Sequence, residues 1–164
     1  MEKKQKKKLL VVLGSGGHTA QILKLLDLLG RRYEYEYVIR YDDNLSEKKI
    51  KIKGKIYKLH SPRAISDNII VVILKTIRNT IESSIILLKS KAEIILSAGP
   101  GSAVVISILG KLFGKKLIFL ESWSRVYNPS LSGRLVYPFS DLFFVQWPEI
   151  KSKYSKAIYA GRLL

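Results

Sequence analysis

The sequence has 164 residues, enough for one domain with its own core, and sets 29 lysines and arginines against 13 aspartates and glutamates, a net charge of +16. It contains no cysteine, which excludes disulfides and thiolate metal sites, and its two histidines, His18 and His60, are too few and too far apart for a zinc site. The basic excess favours anionic partners (nucleic acid, acidic lipid headgroups or phosphorylated substrates) unless it only reflects a lysine- and isoleucine-rich proteome.

Residues 1–8, with five lysines, read as a basic tail that frays at its start. The apolar stretch that follows is too short for a secretory signal and no small-residue cleavage site comes after it, so the cytosolic side is the expected location. Residues 8–13 form a first strand and residues 18–29 a first helix. Between them Gly14-Ser15-Gly16-Gly17-His18-Thr19 makes a glycine-rich strand-to-helix turn, whose backbone N–H groups and helix N-terminus suit an anion. His18 adds a titratable group at the same spot, although a histidine that merely caps the helix would look the same. Thr19 stands where the dinucleotide fingerprint needs glycine, and no Gly-Lys-Ser/Thr follows, so dinucleotide and ATP readings are weakened.

Residues 33–40 alternate as a second strand with one wetter face, 42–49 read as a polar excursion, and 55–59 as a third strand. His60, before Ser61-Pro62, reads as a surface turn residue. After Ser61-Pro62-Arg63 the spacing predicts a long helix over 67–89, with Ser66 or Asp67 as N-cap. Its apolar stripe, Ile69 to Leu88, is interrupted by Lys75, Arg78, Asn79 and Glu82, which argues against a simple membrane span. An α/β helix needs a broad apolar face in any case, which favours burial between the sheet and a neighbouring segment. The other reading rests the outer surface on a membrane, beside Lys75, Arg78 and Lys89.

Residues 93–97, 116–120, 142–146 and 157–159 complete the strands, with a helix over 103–113 closed by Gly114. The alternation of strands and helices predicts an α/β fold: a Rossmann-like, open, mostly parallel sheet with helices on both faces, a single unit over 9–164. Ligands of such sheets bind beyond the carboxyl ends of the strands. Three clusters fall there: Gly14 to Thr19; Gly99-Pro100-Gly101-Ser102; and Glu121-Ser122 through Arg125 to Asn128. The second either donates backbone N–H groups to a phosphate or sugar oxygen or simply turns the chain. Glu121 follows a fully apolar strand and is placed either for general-base work or as a structural carboxylate accepting backbone N–H bonds or pairing with Arg125. Arg125 or Arg134 would neutralise a phosphate.

Taken together and in this order, these motifs resemble the asparagine-linked glycosylation protein fourteen family, the acceptor-side subunit of a split N-acetylglucosaminyltransferase. The motifs that carry the likeness are Gly14 to Thr19, Glu121-Ser122, Arg125-Val126, Ser130 to Leu135, Tyr137-Pro138, Asp141, Val145 to Glu149 and Gly161-Arg162. That family is similar to the N-terminal half of MurG-type glycosyltransferases of the GT-B fold. The resemblance implies a subunit that binds a lipid-diphosphate-linked sugar acceptor. With a donor-binding partner of the asparagine-linked glycosylation protein thirteen type, it would transfer N-acetylglucosamine from UDP-N-acetylglucosamine, inverting the anomeric centre, without a cofactor or metal. His18 or Glu121 would be the base. Gly14, Ser15, Gly16, Gly17, Thr19, Gly99, Gly101, Ser102, Ser122, Arg125 and Asn128 would bind the acceptor. The chain stops at Leu164, near where a link to a donor domain would begin. Eukaryotic members begin with a membrane-spanning helix, whereas Met1 to Lys8 precede the first strand here. Attachment at the cytoplasmic membrane face (endoplasmic reticulum in a eukaryote) is therefore expected from basic charge, the 69–88 helix or the partner. Two other readings are a non-catalytic membrane scaffold for a polysaccharide-building transferase, and a nucleotide- or nucleic-acid-binding protein. The latter ranks last because no recognition motif interleaves aromatics with the basic residues.

Overall fold

Residues 9–13 are apolar without interruption because both faces of their strand are covered. Strand β1 (Lys8–Val12) sends Leu10 and Val12 into one core cluster, and Leu9, Val11 and the following Leu13 into another. The computed structural model describes residues 6–62 and 67–163. Beside β1 lie β2 (Glu34–Arg40), β3 (Lys55–Leu59), β4 (Ile94–Ser97), β5 (Lys116–Leu120), β6 (Leu142–Val145) and β7 (Ile158–Tyr159). They form one sheet in the order β3-β2-β1-β4-β5-β6-β7, with every neighbouring pair parallel.

The helices are α1 (Gly17–Leu29), α2 (Asn44–Lys48), α3 (Ile69–Lys89), α4 (Gly101–Leu112), α5 (Leu131–Val136) and α6 (Pro148–Lys151). α1 packs Ile22 and Leu26 on one face of the sheet. α3 and α4 pack Ile86, Leu87, Ala103 and Ile106 on the other. This is the Rossmann-like arrangement expected from the sequence, with an entirely parallel sheet. The strand order reverses between β1 and β4, where the register pairs Val12 with Ser97 and brings the two strand ends level.

Four local readings change. The polar excursion at 42–49 holds α2, capped by Asp43, whose carboxylate accepts from Ser46 N at 2.9 Å. α3 is capped by Asn68, which accepts from Val71 N at 3.0 Å. Asp67 instead holds Lys75 at 2.7 Å, and Ser66, the other expected cap, lies outside the described residues along with Arg63, Leu164 and the first five residues of the basic tail. α4 starts two residues earlier than the pattern indicates. α5, a helix not among the expected elements, is held by the Ser130 cap, whose hydroxyl accepts from Gly133 N at 2.8 Å.

The largest departure concerns α3. Its apolar stripe is open to solvent: Ile69, Ile70, Ile73, Leu74, Ile77, Ile81, Ile85 and Leu88 are all exposed, up to 73 % at Leu88. A stripe this broad exceeds what the sheet covers, because Asn79, Ser83, Ile86 and Leu87 already make up the buried face. The burial expected for the stripe is therefore not what the structure shows. Among the described residues, no helix is long and apolar enough to cross a membrane.

His60 is more than a surface turn residue. It stacks on Tyr41 with ring centroids 4.4 Å apart, and its Nε2 accepts from Arg78 at 3.0 Å. Arginine only donates, so the ring proton sits on Nδ1 and is given to Glu82 Oε1 at 2.8 Å. Burial works against ionisation of Glu82, but hydrogen bonds from the His60 N–H and Arg78, with the nearby His60 ring, hold its carboxyl below the ordinary 4.5. A carboxyl lowered in the native state contributes stability that is complete above its unfolded value and lost as pH falls through the native one. From about pH 6 down to about pH 3, the thermal midpoint of the wild type should therefore fall more steeply than that of Glu82→Gln. Parallel slopes would mean that the cluster contributes nothing to acid sensitivity.

Candidate functional site

Adjacent parallel strands deliver the three sequence clusters to one edge of the sheet. Gly14 follows β1, Ala98 follows β4 and Glu121 follows β5, and these strands are neighbours. Ser15 and His18 from the first cluster, Gly99, Gly101 and Ser102 from the second, and Ser122 and Arg125 from the third line one cavity of about 370 Å³. Gly99 adopts φ +82°, which a side chain would resist, and a Cβ there would meet the Phe119 ring at 2.8 Å. A larger cavity of about 430 Å³ lies between α1 and residues 48–52, and no sequence-predicted site residue lines it.

Two helix N-termini open on the cavity. α1 begins at Gly17 with no side-chain cap and no acidic residue in its first turn, and its first backbone bond runs from Ala20 N to Gly16 O at 3.2 Å. α4 begins at Gly101 under the same conditions, with Ala103 N bonded to Pro100 O at 2.8 Å. The leading N–H groups of both helices are thus left to external acceptors, with the positive ends of both dipoles behind them. Arg125 lines the same space, as does Arg40 at the end of β2. Asp42 grips the Arg40 guanidinium with two oxygens, the Nε bond at 3.0 Å, and this pairing raises the arginine further above its ordinary value. Such a cavity suits an anion.

His18 stands on the first turn of α1 with its tautomer fixed. Nδ1 lies 2.7 Å from the carbonyl oxygen of Ala98, which only accepts, so Nδ1 carries the proton and Nε2 is the basic nitrogen of the neutral ring. The ring lines the cavity.

Glu121 turns the other way. It is 1 % exposed and is not among the cavity-lining residues. Oε1 accepts from Ser122 N at 2.8 Å, while Oε2 accepts from Tyr154 Oη at 2.9 Å and Ser130 N at 3.2 Å. A Cβ at Gly133 would collide with Oε2, so that glycine lets α5 close over the carboxylate. Burial, and then the charge of Glu121, push the Tyr154 hydroxyl far above its ordinary value, so it stays a donor. Glu121 therefore ties the Ser122 and Ser130 backbones together beneath the cavity floor.

The Glu121 carbonyl is a second junction. It accepts from the amides of two buried glutamines, Gln21 at 3.2 Å and Gln146 at 3.1 Å. Gln21 Oε1 in turn accepts from Trp123 N at 3.0 Å, and Gln146 Oε1 from Leu163 N at 3.1 Å. The helix carrying His18, the segment after β5 and the 160–163 segment are thereby held in one hydrogen-bonded frame.

The remaining expected site residues divide by position. Thr19 is buried and donates to Gly14 O at 2.6 Å, closing the turn from within. Gly16 and Gly17 are exposed at the head of α1, while Asn128 and Arg134 are exposed outside the cavity lining. The sequence reading missed Arg40, Ser61 and the 130–132 segment as lining residues. Arg40 had a signal, since it ends an alternating strand at the carboxyl edge. Ser61 had none, because only the packing of the β3–α3 connection brings it there. Among the described residues, no cluster of three His, Asp or Glu side chains is placed to hold a metal ion.

Comparison with known proteins gives the family and the fold. The family described as "Oligosaccharide biosynthesis protein Alg14 like" matches residues 9–163. The chain is 35 % identical to "UDP-N-acetylglucosamine transferase subunit alg14" of Schizosaccharomyces pombe, over 94 % of this chain and 82 % of that protein. It is 34 % identical to the subunits of the same name from Mus musculus, over 96 % and 83 %, and Homo sapiens, over 95 % and 82 %. Among solved structures it resembles Acinetobacter baumannii MurG, with a TM-score of 0.70 and 13 % identity over 88 % of this chain and 42 % of that one. It also resembles a UDP-N-acetylglucosamine 2-epimerase, with a TM-score of 0.71 and 11 % identity over 96 % and 49 %. The chain thus spans about half or less of these two-lobed structures, and at such identities the likeness concerns the fold, that of one GT-B half.

Proposed function

Because the chain belongs to the family of Alg14-like oligosaccharide biosynthesis proteins, we propose that it is the acceptor-binding half of a UDP-N-acetylglucosamine transferase acting in lipid-linked oligosaccharide synthesis. A separate donor-binding subunit, of the asparagine-linked glycosylation protein thirteen type, supplies the nucleotide sugar. The convergence of two uncapped helix N-termini and His18 on one cavity carries this reading. The diphosphate of a lipid-linked sugar lies against the first turns of α1 and α4, with Arg125 balancing its charge. The acceptor hydroxyl attacks the anomeric carbon of N-acetylglucosamine from the side opposite UDP, inverting that centre. As the new C–O bond forms, the bond to the diphosphate breaks and UDP leaves with the electron pair. His18 Nε2 takes the hydroxyl proton. Glu121 acts as a positioning residue and not as the base, since its oxygens already accept three hydrogen bonds.

The exposed stripe of α3 supports attachment of this half to the cytoplasmic face of a membrane, with its apolar side chains in the interface and Lys89 and the other surface lysines toward acidic headgroups. His60, next to the cavity-lining Ser61, is bound by Asn79 and Glu82 in the middle of α3, so a diphosphate anchored in the bilayer along that helix has a short path to the cavity.

Reconstitution tests both parts. Co-purified with a donor-binding subunit on vesicles holding a lipid-diphosphate sugar, the chain should support transfer from labelled UDP-N-acetylglucosamine, with neither subunit active alone. Ile73→Asp/Ile77→Asp should release it from vesicles. Transfer by the partner alone would reduce this chain to a scaffold, and steep salt-dependent binding to RNA would favour the nucleic-acid reading.

A further inference from the structure

Resting on the function just proposed, we infer that the outer surface of α4, bordered by α5, is the track on which the hydrocarbon tail of the acceptor lies. α4 packs between α3 and α5. Its Val104 and Leu109 pack against the core. Val105, Ile108 and Leu112 follow at spacings of three and four on the side turned away from the buried Ala103, Ile106 and Gly110, half-buried or exposed, with Val104 and Leu109 at its two edges. On α5, Leu131 and Leu135 sit one turn apart and are 67 % and 48 % exposed, while Gly133 and Val136 between and beyond them are buried.

The track is continuous with the polar cavity. Gly101 at the head of α4 and Leu131 at the head of α5 both line it, so the apolar surface begins where the anion-binding surface ends. Neither helix carries an acidic residue that would repel the diphosphate. From Gly101 to Leu112, α4 rises about 16 Å, enough to seat several isoprene units. A site for a free phosphate or a water-soluble sugar phosphate gains nothing from such a flank, whereas an amphiphile with its charged head in the cavity covers it. The tail thereby adds affinity and also fixes the direction from which the acceptor sugar enters.

The experiment uses the chain co-purified with its donor subunit in detergent micelles, so that attachment to a bilayer does not enter. Two acceptors are compared, a long polyisoprenyl-diphosphate sugar and a water-soluble analogue with a short alkyl tail. In Ile108→Ser/Leu135→Ser the ratio of KM for the long acceptor to KM for the short one should rise about tenfold, the scale of lost contact for two partly covered aliphatic side chains. Leu135→Ser alone, at an exposed position, should give a smaller rise and keeps the test open if the double variant folds poorly. An unchanged ratio in both variants overturns the track. An unchanged ratio with lost vesicle binding assigns the surface to the bilayer and overturns it equally. If the wild type transfers to neither acceptor, the underlying function falls, a result distinct from either of these.

Discussion

His18→Ala should lower kcat of the reconstituted transfer by about 10²–10⁴-fold, the usual contribution of a positioned general base, with a much smaller change in KM. The Ala98 carbonyl dictates this outcome by holding the Nδ1 proton at 2.7 Å and leaving Nε2 basic on a ring that lines the cavity. In the proposed arrangement backbone N–H groups of α1 and α4 and Arg125 hold the anion, so removing the imidazole should leave acceptor binding largely intact. His18→Gln should be nearly as slow as alanine, since an amide keeps the hydrogen bond to Ala98 without supplying a base. A loss confined to KM would show that His18 binds the acceptor without taking its proton.

Glu121→Ala should act on stability first. It leaves the Ser122 and Ser130 N–H groups and the Tyr154 hydroxyl without their acceptor inside the protein. Removing one member of a buried, charged network costs about 3–5 kcal/mol. For a chain of this size that corresponds to a thermal midpoint lower by roughly 6–20 °C. Glu121→Gln keeps the shape and one acceptor but turns an NH₂ group toward donors, so an intermediate loss is expected. Tyr154→Phe, which removes one bond and leaves the carboxylate with two, should cost least. The kcat of correctly folded Glu121→Gln distinguishes the two roles: a fall as deep as that of His18→Ala at an unaltered midpoint would make Glu121 the base.

The two residues offered as bases by the sequence thus have opposite surroundings, for a reason local to each. His18 sits on the first turn of a helix that starts at the cavity, so its ring lies along the opening. Glu121 follows β5 (its N–H still bonds Phe144 O at 2.8 Å), where α5, the Tyr154 hydroxyl and the glycine at 133 close over its side chain. Thr19, one residue after His18, rotates inward to Gly14 and Ser46. Helical periodicity dictates that neighbours point apart, but the amino-acid types alone do not say which one faces the ligand.

The sequence by itself determined the strands, the main helices and the placement of three small-residue and polar clusters after β1, β4 and β5. Uninterrupted apolar runs identify buried parallel strands, and a βα unit always returns the chain to the same edge. Only the tertiary structure decided that β1, β4 and β5 are neighbours, so that residues about a hundred positions apart share one cavity. It also brought Arg40 and Ser61 into that cavity, buried Glu121 among donors, and left the α3 stripe uncovered. Periodicity fixes which side of an element is apolar; what covers that side depends on the other elements, through contacts that no local pattern encodes.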